Sequence, residues 1–527
     1  MHTIIHGDCL EELKKLDDNS VDAVICDPPY GLSNTKPKQV ADVLAAWVTG
    51  ETEAVPAKRG GFMGKDWDSF VPPPAVWAEC MRVLKPGGHM AVFAGARTQD
   101  LMGLSIRLAG FEIRDTLGWV YGSGFPKSMD VSKAIDKQRE ERHEEALKVT
   151  RVIAGRAKEL GISRRDINLE VNGADNSGGS AQSWTTVSSA GAHKPRVPEW
   201  DQWVRLRELL NLNDPVLDAE VWRLNGRKGT PGEAWEKREV VGVQRRFNEP
   251  SGIVNIGQGE RVEIERKITV PATSEAAKWD GWGTALKPAI EPIILARKPL
   301  DGTVAQNVLE HGVGGLNIDA CRVGNESRIN LPAGNKANSG GVYKFSNAEV
   351  DAFNGAKPAE VAGRFPANVL LDEHAATEMD KQSGVSVSRA NTSSDNRGAE
   401  GSHIFASVSF GRRDPSNSYN DSGGASRFFP VFKYQAKAPK KERPVIVRED
   451  GSKVQHPTVK PLALMEWLVT LITPEGGTIL DPFAGTGTTL QAATNKGFHP
   501  IGIKADADYI QLINQRMEGG EQSTRSS

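Results

Sequence analysis

The six residues from Val21 to Cys26, VDAVIC, form an almost continuous apolar run of strand length. A strand with so little polar alternation has to be covered on both faces, which predicts a parallel sheet between layers of helices. A short amphipathic helix, Leu10 to Leu16, precedes it. The grammar recurs with a helix through Trp77 to Leu84, a stop at Lys85-Pro86-Gly87-Gly88 and a strand from His89. A helix from Asp100 to Ala109 and a strand from Phe111 to Val120 follow. The C-terminal end repeats it: a helix from Leu462 to Ile472, a strand GTILD ending at Asp481, a glycine loop, a helix and a strand HPIGIK. Alternating strands and helices predict an α/β fold whose doubly wound sheet draws on both ends of the chain.

The middle is different. A charged stretch, Val131 to Leu160, leads into Gly-, Ser- and Asn-rich segments around Gly173 to Ser189, Asn335 to Gly341 and Ser383 to Ser426. The last two read as loops or partly disordered insertions. Ahead of them Ile153, Ala157 and Leu160 share a helical face, Gly161 turns, and Ser163 with Asp166 makes a capping-box start for a second helix. Pro198 opens a later helix with Trp203, Leu206 and Leu210 on one side. Two readings stand side by side: a helix-turn-helix-like module offering Arg164, Arg165, Gln182 and Trp184 to DNA, or a helical insertion packed on the main domain.

Charge does not decide between them, since Lys+Arg (65) and Asp+Glu (67) nearly cancel to a formal net charge of -2. A nucleic-acid surface would have to be a local patch. Cys9, Cys26, Cys80 and Cys321 contain no CxxC pair, so neither a disulfide framework nor a zinc knuckle is suggested. No apolar signal core opens the chain and no run is long enough to cross a bilayer, which predicts a soluble protein of the cytoplasm.

Two motifs carry chemistry. Asp27-Pro28-Pro29-Tyr30 directly follows the buried strand, and in open α/β sheets ligands bind beyond the carboxyl ends of strands. Two prolines stiffen the segment and remove two N–H donors, leaving outward carbonyls. An amino group with two hydrogens needs two acceptors, which the Asp27 carboxylate and the Pro28 carbonyl supply, while Tyr30 offers a face on which a base can stack. Alone, the four residues also read as an exposed turn. The second motif, Asp481-Pro482-Phe483-Ala484-Gly485-Thr486-Gly487, joins a strand to a helix whose N-terminus offers N–H groups to a carboxylate. It lacks the third glycine of a dinucleotide loop.

Together these motifs resemble the amino-group DNA methyltransferases, and the order, with Asp-Pro-Pro-Tyr first and the glycine loop last, resembles the family's β class. The resemblance extends to IIHGDCLEEL, VLKPGGHMAVF, GWVYGSGFPKS, GWGTALKPAIEPIILARKPL and HPTVKPLALMEWLV, and the chain is similar to the stand-alone methylases of phages and prophages. It implies a Rossmann-like methyltransferase sheet in circularly permuted motif order with a large helical and loop insertion. It also implies S-adenosylmethionine as cofactor, no metal, and double-stranded DNA as partner. No membrane and no obligate protein partner are implied, and a homodimer is the alternative to a monomer. By the resemblance, Asp27, Pro28, Pro29 and Tyr30 are catalytic. Phe483, Gly485 and Gly487 surround the methionine part of the cofactor, Asp481 reaches its amino group, Asp8 its adenine, and Thr458 and Lys460 close over the methionine end. Residues 1–130 would be the catalytic half and 131–278 a charged helical insertion for target recognition. Residues 279–455 would return to the core with further recognition loops, 456–518 would form the cofactor half, and 519–527 a disordered tail.

One position departs from the family pattern. Where an acidic residue usually accepts bonds from the cofactor ribose, this chain has Lys504, which donates but cannot accept. Asp506, two residues on, is the candidate to compensate. The implied reaction is direct methyl transfer to an exocyclic amine of a flipped base, with adenine N6 favoured by aspartate at the first motif position. N4 of cytosine is the alternative within the family. A DNA-binding protein on a catalytically impaired scaffold is the alternative from another class.

Overall fold

The computed structural model describes residues 2–33, 35–56, 68–122, 124, 128–137, 143–175, 179–188, 193–225, 235, 237–248, 262–330, 359–387, 421–432, 445–447, 453–454 and 459–524. The chain folds as two units: Met1–Phe125 with Pro288–Ser527, and Pro126–Lys287.

The first unit is built on a nine-stranded sheet. In chain order its strands are β1 (Thr3–His6), β2 (Val21–Cys26), β3 (Leu84–Phe93), β4 (Glu112–Val120), β5 (Ile290–Arg297), β6 (Val369–Asp372), β7 (Val431–Phe432), β8 (Thr478–Asp481) and β9 (His499–Lys504). Their spatial order is β1-β9-β8-β2-β3-β5-β4-β6-β7. Only β5 runs antiparallel to its neighbours β3 and β4; all other pairs are parallel. The two chain ends do share one sheet, joined where Ile479 and Leu480 of β8 pair with Ala23 and Val24 of β2.

Period-two alternation explains the all-apolar strand. Val24 and Cys26 enter one buried cluster with Met90, Val92, Trp77 and Ile106, while Ala23 and Ile25 enter another with Phe93, Leu464, Leu468 and Ile479. Helices Pro74–Val83 and Gln99–Leu108 cover the first face, and Leu462–Ile472 and Thr488–Asn495 the second. Every residue of β2 is buried, and its one charge, Asp22, accepts from Lys85 Nζ at 2.7 Å and from the backbone N–H of Thr478 at 2.7 Å.

Three details differ from the sequence expectation. The stop at Lys85-Pro86-Gly87-Gly88 is a bulge inside β3 rather than its boundary, because Val21 pairs with Leu84 and Ala23 with His89. Strands β6 and β7, which the sequence reading did not single out within 279–455, extend the sheet beyond β4. The helix after Pro198 begins at Trp200, with Glu199 as its N-cap.

The second unit has its own core, in which Ile153, Ile167, Val171, Trp184, Trp203, Leu206, Leu210 and Val221 come together from helices His143–Leu160, Arg164–Asn172, Gly179–Trp184, Trp200–Leu209 and Pro215–Asn225. Ser163 and Asp166 form the capping box. Leu160 is exposed, not on the packed face with Ile153 and Ala157. Trp184, offered above to DNA, is a core residue. Arg165 pairs with Asp175, and Arg164 donates to Thr185 Oγ1 at 2.8 Å. No helix among the described residues is long and apolar enough to cross a membrane.

Candidate active site

Strand order locates the site before any side chain is considered. From β8 the chain steps outward to β9, whereas from β2 it steps the other way to β3, so the winding reverses between β8 and β2. At such a switch point the connections diverge and leave a crevice beyond the carboxyl ends of the strands. Asp481 ends β8 and Asp27 immediately follows β2. Lys504 ends the neighbouring β9, and Asp8 lies just past β1.

The segment after β2 is held in place by its surroundings. Thr98 donates its hydroxyl to the Tyr30 carbonyl at 2.6 Å, and Gly31 N–H donates to buried Asp68 at 3.0 Å. Gly31 has φ +66°, and a Cβ there would lie 2.7 Å from the backbone nitrogen of Val71, so the residue after Tyr30 has to be glycine. Pro28 is buried and the other three motif residues are half-buried.

Four side chains converge on this segment. Tyr30 Oη lies 2.8 Å from Asp27 Oδ1 and 2.5 Å from Glu291 Oε1. Lys460 Nζ donates to Glu291 at 2.7 Å and to Tyr30 Oη at 2.8 Å, and stands 3.3 Å from Asp27 Oδ1. The ammonium also sits over the rings of Phe93, 4.6 Å from the centroid, and Tyr30, 5.3 Å. Burial alone would depress the Lys460 pKa, but Asp27 and Glu291 outweigh it and raise it. Burial, with the same two carboxylates, pushes the Tyr30 phenol well above its usual range. Lys460, expected at the methionine end of a cofactor, therefore stands against the Asp27 motif. Thr458 lies outside the described residues.

The glycine loop follows β8. Asp481 is buried, accepts from Phe483 N–H at 3.0 Å and from Thr489, and burial pushes its carboxyl up to about 7 against those two donors. Phe483 packs 6.1 Å from Trp77, centroid to centroid. Gly485 and Gly487 both have positive φ. Gly487 caps helix Thr488–Asn495, and a Cβ there would come within 2.9 Å of Ile513, so the loop has to be narrow at that point.

Asp8 and Asp506 are engaged locally. Asp8 caps helix Cys9–Leu13 through Leu10 N–H at 3.0 Å and Glu11 N–H at 3.4 Å. Asp506 is exposed and accepts from Asp508 N–H at 3.0 Å, at the start of helix Ala507–Thr524. Lys504 lies 4.7 Å above the Tyr509 ring, and burial lowers its pKa against the pull of Asp506 and Asp481.

The site residue that sequence reasoning missed is Glu291, the second residue of β5, which is buried from Pro292 onward. The available signal was a lone carboxylate inside the apolar stretch Ile290-Glu291-Pro292-Ile293-Ile294-Leu295.

The family model described as DNA methylase matches residues 21–151 and 284–515. Among curated relatives, the type II methyltransferase M2.DpnII of Streptococcus pneumoniae is 44% identical over 64 residues, 12% of this chain and 24% of its own length. The DNA adenine methyltransferase YhdJ of Escherichia coli K12 is 36% identical over 121 residues, 23% of this chain and 34% of its own. The type II methyltransferase M.ScaI of Streptomyces caespitosus is 36% identical over 76 residues, 14% of this chain and 25% of its own. The matched stretches thus span between about a quarter and a third of each relative.

Proposed function

The chain belongs to the DNA methylase family, and on that premise we propose that it methylates N6 of an adenine flipped out of double-stranded DNA, in the cytoplasm of a bacterial or phage-infected cell. The observation that carries this reading is the adjacency of the Asp27 segment and the glycine loop at the switch point between β2 and β8. The donor is S-adenosylmethionine, and the residues present fit it. A buried carboxyl at Asp481 suits an ammonium, and the positive-φ loop Gly485 to Gly487 lets backbone approach a ligand. When bound, the cofactor supplies a methyl on a sulfonium; sulfur keeps the electron pair of the broken C–S bond, and the amine lone pair forms the new N–C bond.

The protein's own part is orientation and charge. Asp27 and the Pro28 carbonyl accept the two amino hydrogens, which favours the pyramidal nitrogen that the transition state needs. A neutral exocyclic amine is a poor proton donor, but the methylated nitrogen is cationic and gives up its proton readily, to Asp27 or to water. Stacking on Tyr30 offsets part of the cost of flipping, a few kcal/mol. Aspartate at the first motif position and the 36% identity to an enzyme named for adenine support N6 over N4 of cytosine. Lys504 motivates the second reading, a DNA-binding protein with impaired turnover.

The test incubates the protein with labelled S-adenosylmethionine and unmethylated genomic DNA and resolves the nucleosides by mass spectrometry. N6-methyladenine supports the proposal, N4-methylcytosine moves the target base, and no methylated nucleoside at saturating cofactor favours the impaired scaffold. Asp27→Ala should abolish turnover and leave DNA binding nearly intact; full activity in that variant would remove Asp27 from the chemistry.

A further inference from the structure

Asp27 stands among more hydrogen-bond partners than a waiting acceptor should tolerate. A tyrosine hydroxyl has one hydrogen and an ammonium has three. If Tyr30 gave its hydrogen to Asp27, and Lys460 its charge, both would fall on Oδ1, and that oxygen would be occupied before any amine arrived. Glu291 changes the distribution. It lies nearer the tyrosine oxygen than Asp27 does, 2.5 Å against 2.8 Å, and nearer the ammonium, 2.7 Å against 3.3 Å. A charge-assisted bond at the shorter distance is the stronger one. The phenolic hydrogen therefore goes to Glu291, the ammonium leans on Glu291, and Asp27 Oδ1 keeps the 3.3 Å approach of the ammonium and the 2.8 Å approach of a phenol oxygen whose hydrogen points elsewhere.

We propose that Glu291 is a positioning residue that draws both Tyr30 and Lys460 away from Asp27 and so keeps that carboxylate open for the target amino group. Resting on the methyltransferase reading above, this assigns Glu291 no contact with substrate. Lys460 fills the place of a counter-cation shared by two acids. Without Glu291 it has one carboxylate left, and collapses onto Asp27. Glu291 is the second residue of β5, antiparallel between β3 and β4 and paired with Trp119, so a sheet strand rather than a loop fixes its position. The backbone carbonyl of Tyr30 is held by the Thr98 hydroxyl, which fixes the point from which the phenol reaches toward both acids.

The experiment compares wild type, Glu291→Gln, Lys460→Met and the double variant in single-turnover methylation of DNA, with cofactor affinity by calorimetry and thermal unfolding as controls. The expected result is that Glu291→Gln lowers the methylation rate about tenfold to a hundredfold, the worth of one charge-assisted bond. Cofactor affinity and melting temperature should stay close to wild type. Adding Lys460→Met to Glu291→Gln should restore part of the rate, because the cation that blocks Asp27 is gone. A wild-type rate in Glu291→Gln, or a double variant no faster than that single one, overturns the proposal. A second readout needs no turnover: ultraviolet titration of Tyr30, with Tyr30→Phe as blank, should move to lower pH in Glu291→Gln, since the Glu291 charge helps hold that phenol up. No movement overturns the Glu291 to Tyr30 contact. If wild type itself yields no methylated nucleoside, the methyltransferase reading fails, while the titration still judges Glu291.

Discussion

Raising the pH from 6 to 7.5 should tighten cofactor binding about eightfold through one group, Asp481. Its carboxyl is buried at the end of β8, and burial pushes its pKa up to about 7. In the proposed contact with the cofactor ammonium, only the ionised form of Asp481 makes a charge-assisted bond, so affinity should follow the ionised fraction. With a pKa of about 7, that fraction is roughly 0.09 at pH 6 and roughly 0.76 at pH 7.5. Their ratio corresponds to about 1.2 kcal/mol. The upper limit matters because an α-amino group itself begins to lose its proton near ~8. The assay is titration calorimetry across this range in two buffers of different ionisation heat, which should also show about half a proton released per cofactor bound near pH 7. Asp481→Asn, which keeps an oxygen for Phe483 N–H, should bind weakly with no slope. The same shift has the opposite sign for the cofactor-free fold. A carboxyl held above its ordinary value contributes stability that is present in acid and lost as pH rises through about 7. A flat affinity profile, or an equal slope in Asp481→Asn, would refute the reasoning.

Lys504→Glu should tighten cofactor binding tenfold to a hundredfold by calorimetry, the effect of regaining a charge-assisted acceptor worth roughly 1.5–3 kcal/mol; unchanged affinity would mean that position 504 does not face the ribose. In the second unit, Asp136 is fully buried and accepts from Arg238, from Thr273 Oγ1 at 2.8 Å and from Ala272 N–H at 3.0 Å. Asp136→Ala strands that arginine, so about 3–5 kcal/mol should be lost, seen as faster hydrogen exchange across residues 126–287 of the full chain. Burial works against the Asp136 charge, yet these donors hold its carboxyl below the ordinary range, so the stabilisation it gives is lost only as pH falls through the acid range.

What the sequence revealed and what it concealed divide along the range of the interactions involved. VDAVIC and TILD were legible because a strand buried on both faces leaves only one place for itself, the middle of a layered sheet, and β2 and β8 lie there side by side. Gly485 and Gly487 were legible in kind, since positive φ is written into residue type. Strands β6 and β7 were not: pairs of two or three residues, Leu371 with Val431 and Asp372 with Phe432, carry too short a periodicity to stand out from polar surroundings. Nor was the destination of Lys460. Its own segment specifies a helix start, Leu462 after Pro461, but nothing local states whether the side chain before it turns toward the loop after β8 or the motif after β2. That choice is made by Glu291 on a strand from another part of the chain, through a bond of 2.7 Å. A catalytic carboxylate announces itself by its neighbours in sequence. The groups that set how open it stands are neighbours only in the fold, and Glu291 became visible once β5 was placed between β3 and β4.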